Sequence, residues 1–114
     1  MLNRGNNRVQ KFDSSGNFIL KWGISGIGGG QFSGPEGIAV DSQGDGYVTD
    51  TGKHRIQKFD TDGNFITLWG SRGSGDSQFL RASSIAVDFD DKVYVADSGN
   101  TRIQVFVPTS NTQT

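Results

Sequence analysis

Short apolar runs separated by Gly, Asn, Asp and Ser follow one another along the whole chain. In its middle they occupy residues 37–41, 47–50, 55–59 and 64–69. Each run has the length and the β-branched or aromatic content of a β-strand. The first is continuously apolar, which predicts a strand buried on both faces, whereas the last is amphipathic and is predicted to lie outermost in its sheet. We name these predicted strands a, b, c and d in chain order.

The connections between the predicted strands differ in length. Residues 42–46, 51–54 and 60–63 are short and contain the Gly, Asn or Asp that tight turns require. Residues 70–84, which follow strand d, are longer and rich in Gly and Ser, and residues 23–37 are their counterpart before strand a. Three hairpins followed by a long crossing are typical of a propeller blade that leads into its neighbour.

The whole pattern repeats with a period of 47 residues. The segment at 52–59 has counterparts at 5–12 and 99–106, and Ile-Ala-Val-Asp occurs at both 38–41 and 85–88. A period in the forties is typical of propeller blades, whereas a β-solenoid has a shorter rung and needs no long crossing. We therefore predict an all-β fold of β-propeller blades with four antiparallel strands each, about two blades per chain, and no helix longer than about one turn.

The period also divides the chain into predicted blades. A β-propeller segment over residues 1–107 would hold a partial blade at 3–23, a blade at 37–70 and a partial blade at 84–107. In order these supply strands c and d, then a to d, then a to c. The polar residues 108–114 are predicted to be a disordered tail.

The repeated motif resembles the NHL repeat. The resemblance rests on Gly-Ile-Ala-Val-Asp at 37–41, Tyr-Val-Thr-Asp-Thr-Gly-Lys-His-Arg-Ile-Gln-Lys-Phe at 47–59 and Gly-Asn-Phe at 63–65, and it extends over about residues 3 to 107. The resemblance implies a six-bladed propeller that serves as a protein- or RNA-binding platform. The second linker departs from the pattern, because Arg-Ala-Ser-Ser at 81–84 stands where the first has Gly-Pro-Glu-Gly at 34–37.

The predicted strands fill little more than two blades, and repeat units cannot bury their apolar faces alone. The chain is therefore expected either to be part of a longer propeller or to self-associate, with three copies closing a six-bladed ring. Three chains would supply one surplus strand c each. We expect residues 8–12 to be displaced, because strands b and c of the third repeat are joined by a short turn and pair with little loop-closure entropy.

Charge and composition limit the classes of function. The formal net charge is −1, which disfavours nucleic-acid binding because that requires a basic face. The chain has no Cys, so disulfides and thiolate metal sites are excluded. No signal peptide or membrane-spanning segment is evident in this sequence, which predicts a soluble chain, cytoplasmic if it is complete.

Few residues are candidates for chemistry. Asp50 with Arg55, and Asp97 with Arg102, flank the b–c turn and are predicted to form structural ion pairs. His54 is the only histidine, and no nucleophile–base set is present, so no catalytic residue, metal site or cofactor is predicted. Residues 60–64 resemble the start of a calcium loop, but the position of the bidentate Glu holds Ser71, which favours a hairpin turn.

The predicted topology places the d–a and b–c connections on one side of each blade. Loops on a rigid scaffold are where binding residues concentrate. The candidate binding residues on this face are Glu36, Lys53, His54, Arg72, Asp76, Arg81 and Asn100. Glu36 precedes strand a at the expected rim of a central channel, where enzymatic propellers of the gluconolactonase-like and amidating-lyase families hold a metal. Its counterpart is Ser83, which favours a solvated rim charge.

The sequence thus predicts a non-catalytic NHL β-propeller scaffold that binds a protein partner, or another macromolecule, through this face. Two alternatives stay open: part of a metal-dependent propeller hydrolase or lyase, and an RNA-binding NHL domain.

Overall fold

The computed structural model describes residues 2–3 and 7–107. These residues form short strands and two single 3₁₀ turns, Thr51–Lys53 and Ser98–Asn100. None of them forms a helix long and apolar enough to cross a membrane. The predicted tail at 108–114 lies outside the described residues. The strands, in chain order, are β1 Leu2–Asn3, β2 Arg8–Phe12, β3 Phe18–Trp22, β4 Ile24–Ser25, β5 Gln31–Phe32, β6 Gly37–Val40, β7 Gly46–Asp50, β8 Arg55–Phe59, β9 Phe65–Trp69, β10 Ser71–Arg72, β11 Gln78–Phe79, β12 Ala82–Val87, β13 Val93–Asp97 and β14 Arg102–Phe106.

The central blade is a four-stranded antiparallel sheet in the order β6-β7-β8-β9. These strands correspond to the predicted a, b, c and d, and each pairs with its neighbour in the chain because the connecting turns are short. The register shifts between Lys58 and Phe59, where the outer strand β9 begins to pair. The predicted fold class is confirmed: the chain is all-β, with antiparallel propeller blades.

The two flanking blades are incomplete in different ways. The first has the order β1-β2-β3, and the third has the order β12-β13-β14. Strand β1 was not predicted, because its two residues are too few to show any alternation. Leu2 pairs with Val9 just as Thr49, one period later, pairs with Ile56. Strand β1 is therefore the last two residues of a strand b.

Two small parallel pairs lie in the long linkers and were also not predicted. Strand β4 pairs with β5, and β10 pairs with β11, each through two residues. Parallel pairing folds each linker back on itself, and the Gln31 side chain accepts a hydrogen bond from the Gly28 N–H inside the resulting loop at 2.9 Å. The d–a connections are therefore ordered structures, not open crossings.

Apolar side chains pack between blades. One cluster joins Tyr47 and Ile56 of the central blade to Phe79, Val93 and Val95. The other joins Val9 and Trp22 of the first blade to Phe32, Val48 and Phe59. Because Val9, Phe32 and Val48 recur one period later as Ile56, Phe79 and Val95, the two junctions between blades are built alike.

The prediction that strand a is buried on both faces was wrong. In β6 no residue is fully buried, and Val40 is 59% exposed, whereas all five residues of β7 are buried. Strand b lies between a and c and has blades on both sides. Strand a is the first strand of its sheet, and the described residues of the blade before it include no strand a against which it could pack.

Candidate binding face

The b–c turns of the central and third blades are each fixed by a buried aspartate. The Asp50 carboxylate accepts hydrogen bonds from the Ser33 N–H at 2.7 Å, from Arg55 Nε at 2.7 Å and from Gln57 Nε2 at 3.1 Å. Its side chain is fully buried. The Asp50–Arg55 pair is thus an internal contact that ties strand b to strand c and to the linker before strand a.

The same arrangement recurs in the third blade. Asp97 accepts hydrogen bonds from Asn100 at 2.8 Å, from the Leu80 N–H at 2.7 Å and from Arg102 Nε at 3.0 Å. Burial raises the pKa of Asp97, but these hydrogen bonds outweigh it and hold the pKa below its ordinary value. The carboxylate is therefore ionised at neutral pH.

The two arginines also hold the long linkers in place. Arg55 donates to the carbonyl oxygens of Ile27, Gly28 and Gln31 at 2.7–3.1 Å. Arg102 donates in the same way to Gly75 and Gln78. Each arginine thus binds both the aspartate and the backbone of the neighbouring loop, which attaches the loop to the blade.

The sequence interpretation missed the buried glutamine of this network. Gln57 accepts from the Gly30 N–H at 2.8 Å and donates to the Gln31 carbonyl at 2.6 Å and to Asp50. A signal existed in the sequence, since Arg-x-Gln stands in all three copies of strand c. A fully buried polar side chain at a repeated position requires hydrogen-bond partners, and here they are in the linker.

Three of the candidate residues meet at a shallow depression between the central and third blades. Arg81 Nη2 donates to both Glu36 carboxylate oxygens, at 2.9 and 3.1 Å. The Arg81 backbone N–H donates to His54 Nδ1 at 3.0 Å. The depression has a volume of ≈ 370 Å³, and its lining residues are Ser33, Gly34, Glu36, Thr51, Gly52, His54 and Arg81.

Two of these residues have an unusual backbone conformation. His54 and Arg81 have φ angles of 56° and 77°, in the left-handed region that non-glycine residues rarely adopt. The expectation that Glu36 is a solvated rim charge was wrong, because its side chain is 17% exposed and is paired with Arg81. Residue Arg81, which departs from the family pattern in the second linker, is the residue that supplies this partner.

The other candidate residues of this face do not line the depression. The loops of this face also carry three exposed candidates, Lys53, Arg72 and Asp76. The Asn100 amide is committed to the fold, because it donates to the Gly73 carbonyl at 2.9 Å and to Asp97.

The opposite face carries tight Asp-containing turns. Asp60 accepts from the N–H groups of Asp62 and Asn64 at 2.9 Å, and from the Asn64 side chain at 3.1 Å. The hydrogen bond from the Asn64 backbone, the largest influence, lowers the pKa of Asp60 below its ordinary value. These oxygens close the turn, as the hairpin interpretation of residues 60–64 requires. Within the part of the chain that the structure describes, no three His, Asp or Glu residues are grouped so that they could hold a metal ion.

Comparison with known families assigns the repeat. The family described as NHL repeat matches the chain at residues 32–59 and again at residues 79–106. The chain is an NHL-repeat protein. Each matched segment of this NHL-repeat protein begins at the buried Phe of a linker and ends with strand c, so it contains the aspartate, the arginine and the glutamine of the network. No curated protein matches the sequence.

Solved structures share the fold. A structural genomics protein of unknown function from Bacteroides thetaiotaomicron superposes with a TM-score of 0.77 and 16% identity, over 92% of this chain and 31% of that one. A streptogramin B lyase superposes with a TM-score of 0.63 and 18% identity, over 95% of this chain and 36% of that one. The NHL-repeat chain therefore spans about a third of the length of these two structures, and at such identities the likeness is one of fold.

Proposed function

We propose that the chain is a non-catalytic propeller scaffold that binds a protein partner through the face formed by its d–a and b–c loops. The observation that carries the proposal is the Glu36–Arg81 pair beside His54, at an open depression between two blades. The loops around it are held by buried aspartate networks, so the charged groups are presented on a rigid support. Preorganised groups bind with less loss of conformational entropy than mobile ones.

Arg81 is the residue most suited to contact a partner. Its side chain is 58% exposed, although it is paired with Glu36. A guanidinium has five N–H donors, and one of its nitrogens makes both bonds to Glu36. The remaining N–H groups can donate hydrogen bonds to a carboxylate or to a backbone carbonyl of a partner. We therefore propose that the partner presents an extended or looped segment with an acidic side chain.

A metal-dependent hydrolase or lyase is the second candidate, and the likeness to a streptogramin B lyase supports it at the level of fold. Such an enzyme would use Glu36 as a ligand. Glu36 has Ser83 as its counterpart in the next repeat, and the described residues include no group of three His, Asp or Glu side chains that could hold a metal ion. RNA binding is a third candidate, which the net charge of −1 disfavours.

A phage-displayed library of random peptides tests the protein-binding proposal. Peptides selected on the immobilised 114-residue chain are retested on Arg81→Gln and Glu36→Gln variants, in each of which the side-chain charge is removed and a polar side chain is kept. We expect acidic peptides to be selected and their binding to fall at least about tenfold with Arg81→Gln. A tenfold change corresponds to about 1.4 kcal/mol, within the range of a lost charge-assisted hydrogen bond.

Lys92→Gln is the matched control, because Lys92 lies on a turn of the opposite face and is paired only loosely with Asp90 at 3.8 Å. Its peptide binding is expected to equal that of the unmodified chain. The proposal would be contradicted if the selected peptides lost binding to the Lys92→Gln variant and kept it to the Arg81→Gln variant. That result would show that the peptides bind the opposite face.

A further inference from the structure

The 47-residue period allows exposed residues to be compared with their counterparts in the central blade. Ile103 is 61% exposed, whereas its counterpart Ile56 is fully buried. Tyr94 is 36% exposed, and its counterpart Tyr47 is 4% exposed. Tyr47 and Ile56 form the side of the central blade that packs on the third blade. The outer side of the third blade thus corresponds to the side of the central blade that packs on a neighbour. Among the described residues, no blade covers it.

The other end of the chain shows the matching deficiency. In the first blade, strand b is reduced to the two residues of β1, and no strand a is present in the described residues. Phe12 is 38% exposed, although its counterpart Phe59 is fully buried. Val40 is 59% exposed, whereas its counterpart Val87 is partly buried and packs against the cluster between the central and third blades.

Among the described residues, the two incomplete blades are complementary. The first blade contains strands c and d and only the last two residues of a strand b, whereas the third blade contains a, b and c without a strand d. In the central blade, Tyr47 of strand b contacts Trp69 of strand d with ring centroids 6.3 Å apart. Tyr94 and Trp22 are the corresponding rings, and they lie at opposite ends of this chain.

We propose that the open ends bind each other between two copies of this chain. The β12–β13–β14 sheet of one copy would take β3 of a second copy as its fourth strand. The composite blade would then contain Tyr94 and Ile103 from one copy and Trp22 from the other. Its apolar side would pack on Phe32, Val48 and Phe59 of the second copy, which already form half of such a junction.

A polar mismatch in the first blade favours this exchange. Asn3 stands where the repeats have Asp50 and Asp97, and the Arg8 Nε atom is buried without a hydrogen-bond partner among the described residues. A buried unsatisfied donor is unfavourable. When β14 of another copy takes the place of β2, Arg8 is released to solvent, and Arg102 enters with its own Asp97. Strand β14 keeps its place because the 3₁₀ turn Ser98–Asn100 joins it directly to β13.

The exchange is head-to-tail, so each copy uses two different surfaces. Head-to-tail contacts form a closed ring when a whole number of copies, each rotated by the same angle from the last, completes a full turn. With one complete and one composite blade per copy, the six-bladed ring that the resemblance to NHL repeats implies would close with three copies. In this proposal the partner is a second copy of this chain, and the closed assembly is a trimer. The proposal rests on the fold and is independent of the proposed partner-binding face.

Native mass spectrometry of the 114-residue chain tests the assembly. We expect about three times the chain mass of 12.3 kDa. Ile103→Asp should convert the trimer to monomers with an unchanged far-ultraviolet circular dichroism spectrum, because Ile103 is exposed in the single copy. Ile66→Asp is the matched control, since Ile66 lies exposed on outer strand β9 of the complete central blade, and it should leave the trimer intact.

A monomeric mass for the unmodified chain would reject the proposal. Loss of the trimer with Ile66→Asp, but not with Ile103→Asp, would also reject it. Deletion of residues 1–12 tests the strand assignment separately: a trimer that persists supports displacement of β2, whereas a truncated chain that no longer forms trimers contradicts it.

Discussion

At the scale of single residues, the fold depends on two buried carboxylates, Asp50 and Asp97. Each sits at the end of a strand b and receives hydrogen bonds from a linker N–H, from an arginine and from a glutamine. A charge removed from water is tolerated only when such partners surround it. The ion pairs that the sequence predicts at the b–c turn therefore connect strand b and strand c with each other and with the linker before strand a.

Removing one of these carboxylates is expected to be costly. Asp50→Ala leaves the mostly buried Arg55 guanidinium without its counter-ion and the Ser33 N–H without an acceptor. The free energy of unfolding should fall by about 3–5 kcal/mol, the usual effect of breaking a buried ion pair. Urea denaturation measures the change. Asp62→Ala is the control, because Asp62 is exposed on a turn, and a loss there as large as that of Asp50→Ala would contradict the argument.

The stability of the chain should also depend on pH through its aspartates. Hydrogen bonds hold the pKa values of Asp13, Asp60 and Asp97 below the ordinary value of 3.8. A depressed pKa in the folded state contributes stability that is fully present above the unfolded-state value and is lost as the pH falls through the folded-state value. The melting temperature should therefore be flat near neutral pH and fall below about pH 4. Thermal denaturation from pH 7 to pH 2 measures this profile, and a chain that becomes more stable below pH 4 would contradict it.

At the scale of elements, the close contact between the b–c turn and the linker requires glycine. The Gly52 N–H donates to the Ser33 carbonyl at 2.7 Å, and Gly99 donates to Leu80 in the same way at 2.7 Å. A Cβ at either position would collide with that carbonyl oxygen, which is backbone and cannot turn aside. The turn can approach the linker only because a hydrogen atom takes the place of a side chain.

Gly52→Ala is therefore expected to destabilise the chain by about 1–3 kcal/mol, the usual cost of overpacking. Gly46→Ala is the control, because a Cβ at Gly46 would meet nothing within 4 Å. The urea concentration at the midpoint of unfolding is measured for both variants, and we expect it to fall more for Gly52→Ala than for Gly46→Ala. Equal losses at Gly52 and Gly46 would show that backbone entropy, and not the contact with Ser33, is responsible.

At the scale of the whole molecule, the scaffold and the metal-enzyme hypotheses predict different responses to chelators. A scaffold held by aspartate–arginine networks should keep its melting temperature in EDTA, and purified protein should contain no stoichiometric metal. An axial Ca²⁺ or Zn²⁺ would bind the folded state and raise its melting temperature. Elemental analysis together with melting in EDTA checks this. A bound metal whose removal lowers the melting temperature would favour the lyase alternative and make Glu36 a ligand.

Several features of this molecule follow from the sequence alone. Strands c at Arg55–Phe59 and Arg102–Phe106 begin and end where the alternation predicts, because the turn residues on both sides fix their limits. The blade order a to d is also determined locally, since short turns allow only neighbouring strands to pair. The Asp50–Arg55 contact is decided in the same way, because the two residues face each other across one tight turn.

Only the tertiary structure decided which strand is buried and where the loops lie. Strand a is more apolar than strand b, yet Val40 is exposed and Val48 is buried, because burial depends on whether a neighbouring blade is present. Gln57 is buried because Gln31 and Gly30, from the linker before it, supply its hydrogen bonds. The meeting of Glu36, His54 and Arg81 likewise needs two blades side by side. The local sequence pattern determines which adjacent strands pair. Contacts between residues 27 to 45 positions apart in the sequence depend instead on how the blades pack.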